Sequence, residues 1–189
     1  YFTYQDSSAR KSDSSIGNLH HSPILNIWEK DLGNFASAAS SIFFQPELGP
    51  ENKFGIKANQ SFRKNIRNVQ FFNTTRPYTD LYYRLGSKQE QIISVLHSRN
   101  ISPTWNMTAF YAKEGSAGQY LLQRTNNDHF TISSNYQSIN QRYQMLSAIC
   151  YNKIQQDENG GIESEEYLNY IDYNNKRLVP VVLDEIPGE

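Results

Sequence analysis

Residues 128–153 read DHFTISSNYQSINQRYQMLSAICYNK, in which apolar side chains recur at every second position on either side of a short connection. A period of two places alternate side chains on opposite faces of a β-strand. Only residues 138–141 separate the two runs, and a connection of that length predicts an antiparallel hairpin. This hairpin is predicted to pair Gln137 with Arg142, and the other predicted strands are organised around it.

This hairpin has one apolar face. A four-residue connection predicts that Tyr136 pairs with Tyr143, so the apolar stripes of both strands should lie side by side. Each strand is about ten residues long, the length of a tilted strand that crosses a bilayer, and aromatic ends with an aliphatic middle match the interfacial girdles of outer-membrane barrels. A soluble β-sandwich would bury the same face in its core, and the hairpin alone favours that commoner architecture.

Composition limits the classes of protein to which the chain can belong. The chain has 189 residues, which is enough for one sizeable core. Its formal net charge is -1, which gives no indication of a nucleic-acid partner. No stretch approaches the roughly 18 consecutive apolar residues of a membrane helix. Thirteen tyrosines in a polar chain suit a soluble β protein or an outer-membrane barrel, whose lumen-facing residues offset its lipid-facing ones. The sequence therefore predicts an all-β protein.

Alternation of the same kind predicts further strands, over residues 36–44, 54–62, 78–85, 89–99 and 105–112. The predicted organisation has three parts. Residues 1–34 form an irregular N-terminal segment that lies in a lumen or in the periplasm. Residues 35–153 supply antiparallel barrel strands. Residues 154–189 form an acidic external loop and the start of further strands.

The connections between these strands are sorted by length. If the strands zigzag, residues 86–88, 114–127 and the loop after Ile154 lie at one end of the sheet, and residues 100–103 and 138–141 lie at the other. Outer-membrane barrels have short periplasmic turns and longer external loops, whereas Greek-key connections are not sorted in this way. The sorting favours an antiparallel up-and-down transmembrane β-barrel, although the turn at 86–88 is short.

The two faces of the strands predict which residues meet lipid and which line a lumen. The lipid-facing residues are predicted to be Trp105, Met107, Tyr111, Phe130, Ile132, Tyr136, Tyr143, Met145, Ile149 and Tyr151. The lumen-facing residues are predicted to be Asn106, Thr108, His129, Thr131, Asn135, Arg142, Gln144 and Asn152. This second group is mostly uncharged and suits a wetted lumen with weak ion preference. Leu146, Ala148 and Cys150 interrupt the polar face. The segment before Asn34, including residues 24–28, or a folded-in loop is expected to cover them and narrow the channel.

The sequence contains no motif that predicts catalysis. A nucleophile elbow, a phosphate loop, a zincin helix and a dinucleotide fingerprint are all missing from it. His20 and His21 are adjacent, so on a strand they would point to opposite sides and would not share a metal. We therefore predict no catalytic residue, no metal, no cofactor and no enzymatic activity.

Five short blocks follow one another along the chain: RPYTDLYY at 76–83, GSKQEQ at 86–91, HSRNI at 97–101, QRTN at 123–126 and ENGGI at 158–162. Together they resemble the putative porin family of Bacteroidota outer membranes, over roughly residues 30–165. The resemblance implies a porin-type β-barrel in the bacterial outer membrane that passes small solutes passively.

The number of predicted strands is too small for a complete barrel. Members of this family are several times longer than 189 residues, and the smallest bacterial barrel has roughly eight strands. An open sheet in lipid would leave unpaired backbone groups, each costing several kcal/mol. The chain is therefore predicted to be the N-terminal part of a longer polypeptide whose remaining strands close the barrel in outer-membrane lipid, with other outer-membrane subunits as further candidate partners.

Two alternative functions remain open from the sequence. A non-conducting barrel subunit of a larger outer-membrane assembly would show the same pattern of strands. A soluble or surface-tethered β-sandwich would present exposed Tyr and Trp side chains as stacking platforms for glycans. The sandwich should fold without detergent, and this property separates it from both barrels.

Overall fold

The computed structural model describes residues 2–4, 28–31, 33–43 and 60–183. Regular structure in these residues is antiparallel β with short 3-10 turns, which confirms the all-β prediction. No helix in the described part has the length and apolar character needed to cross a membrane. The strands are β1 (Phe2–Tyr4), β2 (Glu29–Asp31), β3 (Ala39–Ser41), β4 (Phe72–Thr74), β5 (Tyr78–Leu85), β6 (Gln91–Ser102), β7 (Trp105–Ser116), β8 (Thr125–Gln137) and β9 (Gln144–Gln156).

Strands β5 to β9 form a single up-and-down sheet, in which each strand pairs with the next along the chain. The short strands form two separate antiparallel pairs, β1 with β4 and β2 with β3. Within the described residues, β5 and β9 are the two edges of the five-stranded sheet. The sheet is therefore open there, as expected for an incomplete barrel.

The register of the β8–β9 hairpin differs from the predicted one by two residues. Gln137 pairs with Gln144 and not with Arg142, and Tyr136 pairs with Met145 and not with Tyr143. The same register continues into the connection, where the Ser138 backbone N–H donates to the Tyr143 carbonyl at 2.8 Å and the Tyr143 N–H donates to Ser138 Oγ at 3.0 Å. A shift of two residues keeps every side chain on its predicted face, whereas a shift of one would have exchanged the faces.

The β6–β7 turn is tighter than predicted. Strand β6 continues to Ser102, so only residues 103–104 form the turn that was expected at 100–103. The register shifts between Asn100 and Ser102, and the Thr104 N–H donates to Ser102 Oγ at 3.3 Å. A β-bulge of this kind absorbs one extra residue and strengthens the local twist.

Two predicted strands in the N-terminal third are only partly described. Of residues 36–44, Ala39–Ser41 forms β3, preceded by a turn in which Ala36 has φ 58. The strand predicted over residues 54–62 is wrong where it can be compared, because Gln60–Phe62 is a 3-10 turn. Its earlier residues lie outside the described part.

The meander groups the connections by end. Residues 86–90 and 117–124 share one end, where the Ala117 N–H donates to the Lys88 carbonyl at 3.0 Å. The segment after Gln156 begins at this long-loop end. An antiparallel bridge joins Ile162 to Val181, and the chain between them contains three 3-10 turns, Glu165–Leu168, Ile171–Tyr173 and Lys176–Leu178. The other end, called here the short-turn end, carries residues 103–104 and 138–143.

Candidate functional site

The two faces of the sheet differ in chemistry and in burial: the apolar side chains are exposed and the polar side chains are buried. One face, called here the apolar face, carries exposed aromatic and aliphatic side chains; Ile149, for example, is 70 % exposed. The other, called the polar face, carries the buried hydroxyl, amide and imidazole groups of Ser94, Ser98, Asn106, Thr108, Ser116, Thr125, Asn127, His129, Thr131, Ser133 and Asn135. A soluble sandwich buries its apolar face and hydrates its polar one, so this sheet has the reverse arrangement.

The apolar core of the described residues is correspondingly small. Its cluster consists of Ala36, Ala39, Phe62 and Ala112, with Phe35, Phe110 and Ile154 partly buried against it. Most of these residues come from a part of the chain that precedes the sheet. The core therefore lies between the polar face and residues 33–43 and 60–74, which we call the covering segment.

Side chains of the sheet hold the covering segment by its backbone. Thr125 Oγ1 donates to the Phe35 carbonyl at 2.8 Å, and Asn127 Nδ2 and Gln156 Nε2 both donate to the Ala36 carbonyl at 3.0 Å. At the same end, the Arg84 guanidinium lies 5.3 Å from the Phe35 ring centroid, within cation–π range. These contacts fix the position of the covering segment without requiring particular side chains at most of its positions.

A second contact lies on the edge strand β9, around Asn152. Its Oδ1 accepts from the Lys64 N–H at 3.0 Å, and its Nδ2 donates to the Lys64 carbonyl at 3.1 Å. This reciprocal pair fixes the orientation of the amide, so the His129 Nδ1 that lies 2.8 Å from the same Oδ1 must carry the proton. Asn152 therefore joins His129 on the neighbouring strand β8 to the covering segment.

The Lys64 side chain is enclosed between the two layers. Its Nζ lies 5.3 Å from the Phe110 ring centroid. Burial lowers the pKa of Lys64, and the carboxylate of Glu114 acts in the opposite direction. Taking a cation out of water costs free energy, and the Phe110 ring and the Glu114 carboxylate offset part of that cost.

Asn152→Ala is expected to loosen the covering segment locally. It removes both backbone contacts of Lys64 and leaves partly buried groups without partners, a change that costs about 1–3 kcal/mol. Amide hydrogen exchange at Lys64 should speed up accordingly. The matched control is Asn126→Ala, whose amide bonds to Gln155 on the exposed side of the sheet. Unchanged exchange at Lys64 in Asn152→Ala would show that Asn152 does not hold this segment.

The third contact joins β4 to the short-turn half of the polar face. The Thr74 N–H donates to Asn100 Oδ1 at 3.2 Å, and Asn100 Nδ2 donates to Asn73 Oδ1 at 3.0 Å. Asn106 Nδ2 donates to Asn100 Oδ1 at 2.6 Å, and Thr108 Oγ1 donates to Ser98 Oγ at 2.9 Å. The buried amides and hydroxyls form one connected network here.

The structure separates the predicted site residues into the two faces. All ten residues predicted to face lipid are exposed or half-buried, and those on strands lie on the apolar face. Asn106, Thr108, His129, Thr131 and Asn135 are buried on the polar face, and Asn152 is half-buried there. Gln144 is exposed at the end of β9, and Arg142 lies in the connection and not on a strand. Contact with lipid or with a lumen stays a prediction for all of them.

The expected cover over Leu146, Ala148 and Cys150 is only partly present in the described residues. Ala148 and Cys150 are half-buried, whereas Leu146 is 48 % exposed. Trp28 is exposed, and residues 24–27 lie outside the described part. The sequence predicted a folded-in loop as one possible cover but did not identify residues 60–74 as that loop. The polar face itself was a signal that some segment covers it, because its many amides and hydroxyls need hydrogen-bond partners once they are out of water.

Comparison with known proteins bears on this arrangement. No curated protein and no solved structure matches the chain. A family model described as a putative porin matches residues 4–185, which is nearly the whole chain. The resemblance found in the short sequence blocks is therefore confirmed, and the chain belongs to the putative porin family.

Proposed function

We propose that this chain supplies part of an outer-membrane β-barrel through which small solutes pass passively. The observation that carries the proposal is the reversed burial of the sheet, with aromatic and aliphatic residues outside and hydroxyls and amides inside. Only a nonpolar surrounding makes that reversal favourable, because lipid accepts the apolar face without a hydrophobic penalty. Membership of the putative porin family supports the same conclusion and suggests a non-enzymatic channel.

The apolar face has dimensions that suit a membrane. Toward the long-loop end Lys113 Nζ lies 3.8 Å from Asp128 Oδ1, and Lys153 pairs in register with Asp128. Below this charged row, β9 continues to Met145, about 27 Å away at roughly 3.4 Å per residue. A strand tilt of about 40° reduces the height to about 20 Å, close to the apolar band of about 25 Å in outer-membrane barrels.

Further strands have to pair with β5 and β9 before such a sheet can cross a membrane. Unpaired edges in lipid cost several kcal/mol per backbone group, and the smallest bacterial barrel has roughly eight strands. We propose that these strands belong to the same, longer polypeptide, that outer-membrane lipid surrounds the apolar face, and that nucleic acid is not a partner. Other outer-membrane subunits are candidate neighbours.

A non-conducting subunit of a larger outer-membrane assembly is the second candidate function. The observation that favours it is the covering segment, which occupies the polar face of β6 to β9 in the described residues. A barrel that is filled in this way would serve as a scaffold or as a gate.

Liposome swelling separates the two candidates. Liposomes that contain the complete protein should swell in isotonic solutions of small neutral solutes, and liposomes with heat-denatured protein should not. A folded, inserted protein that causes no swelling would favour the non-conducting subunit. A protein that folds in water without detergent would favour the glycan-binding sandwich instead.

A further inference from the structure

A cavity of about 330 Å³ opens on the polar face at the short-turn end of the sheet. The connections 103–104 and 138–143 form two of its sides, and Asn73, at the middle of β4, forms part of a third. The volume lies at the lower end of the range of about 300–1,000 Å³ that holds small molecules. The cavity is therefore large enough for one small ligand.

The lining of the cavity favours neutral ligands over ionised ones. Its side chains include the amides of Asn73, Asn106, Asn135, Gln137 and Gln141, and none of the lining residues carries a charge. Each amide offers both a donor and an acceptor. A ligand that binds here without leaving groups unpaired must therefore donate and accept hydrogen bonds, and it has no charged side chain to pair with.

Asn135 provides the group that a ligand is needed to satisfy. The residue is 6 % exposed, and its Oδ1 has no hydrogen-bond partner. Several other buried polar atoms in the described part also lack partners, but Asn135 is the one of those residues that lines this cavity. An acceptor that is buried without a partner costs free energy. Because Asn135 Oδ1 has almost no accessible surface, a ligand hydroxyl recovers this cost once the side chain rotates toward the cavity.

Asn106, the neighbouring lining amide, is already occupied. Its Nδ2 donates to Asn100 Oδ1 at 2.6 Å and to Ser98 Oγ at 3.2 Å, and its Oδ1 accepts from Thr108 Oγ1 at 3.1 Å. These bonds hold one wall of the cavity rigid. The hydrogen-bonding capacity that remains for a ligand lies with Asn135 and with the glutamines.

Apolar side chains stand beside these amides. Ile139 is 92 % exposed in the β8–β9 connection, and Pro103 lines the cavity from the β6–β7 turn. The position of Ile139 is fixed because the Ser138 N–H bonds to the Tyr143 carbonyl and Ser138 Oγ bonds to Asn140 Oδ1 at 2.8 Å. Amides next to exposed apolar groups match a ligand that has both hydroxyls and C–H faces.

From this cavity we infer a binding site for one neutral polyhydroxylated molecule of monosaccharide size. The inference rests on the proposed function, which puts the cavity on the path of the solute. It extends that function by naming a class of solute. Affinity should be on the order of millimolar, because the ligand is small and the cavity is open to water. Such a weak site allows the solute to leave again.

Titration of the complete, detergent-refolded protein with glucose, followed by saturation-transfer NMR, tests the site. Glucose should saturate at millimolar concentration, while gluconate and glucosamine should bind at least about tenfold more weakly. Asn135→Leu should weaken glucose binding about tenfold or more and should still fold, because it removes an unpartnered acceptor. Ile139→Ser, at an exposed position, should weaken binding several-fold. Asn126→Leu, on the other face of β8, is the matched control and should bind like the unchanged protein.

The outcomes separate this site from the transport proposal. Equal binding of the neutral and charged sugars, or unchanged binding by Asn135→Leu, would overturn the site. Selective glucose binding without liposome swelling would keep the site and reject passive passage. Swelling without any sugar binding would keep the porin function and reject the site.

Discussion

Ile149→Arg is expected to destabilise the protein in a bilayer by about 2–4 kcal/mol, the cost of a cation on the lipid face near the midplane. Ile149 lies halfway between Met145 and Lys153 on β9, pairs with Ile132 and is 70 % exposed. In water, replacing such an exposed isoleucine would change stability by less than about 0.5 kcal/mol. The expected effect therefore depends on the solvent around the apolar face.

The control for this substitution lies at the membrane boundary. Tyr143 is exposed in the β8–β9 connection and contacts Tyr136, with ring centroids 6.3 Å apart. Tyr143→Arg should cost about 0–1 kcal/mol, and Met145→Arg should fall between the two. Unfolding by denaturant of the complete protein in phospholipid vesicles measures all three. Equal, small costs for the three variants would contradict a lipid-facing sheet.

Deleting residues 5–74 is expected to raise the conductance of the reconstituted protein several-fold. The deletion removes the covering segment, so that water reaches the polar face. The ladders that join β5 to β9 remain intact, and each lost side-chain contact is replaced by a bond to water at a net cost of about 0.5–1.5 kcal/mol. The sheet should therefore survive, and single-channel recordings in planar bilayers should show larger steps.

A shorter deletion provides the comparison. Removing only residues 1–30 keeps the contacts of Phe35, Ala36, Lys64 and Thr74 with the sheet, and so the change in conductance should be smaller. Equal conductance from both deletions would mean that residues 33–74 do not obstruct the path. No conductance from any of the three proteins would favour the non-conducting subunit.

The sequence determined the strands and their faces because a period of two is a local property. The alternation in β7, β8 and β9 assigns each side chain to a face without reference to any partner. Even the error of two residues in the β8–β9 register left these assignments unchanged, since both registers have the same parity. The family could also be recognised from the sequence, because its short blocks lie within single strands and turns.

Only the tertiary structure decided what lies against the polar face. The bond from Asn127 to the Ala36 carbonyl joins positions 91 residues apart, and those between Lys64 and Asn152 join positions 88 apart. Side chains that recognise a backbone carbonyl or N–H leave no pattern in the segment they hold, so the sequence of residues 33–43 and 60–74 does not reveal their partner. The cavity beside Asn135 depends on two turns and β4 meeting in space, which no local pattern can specify.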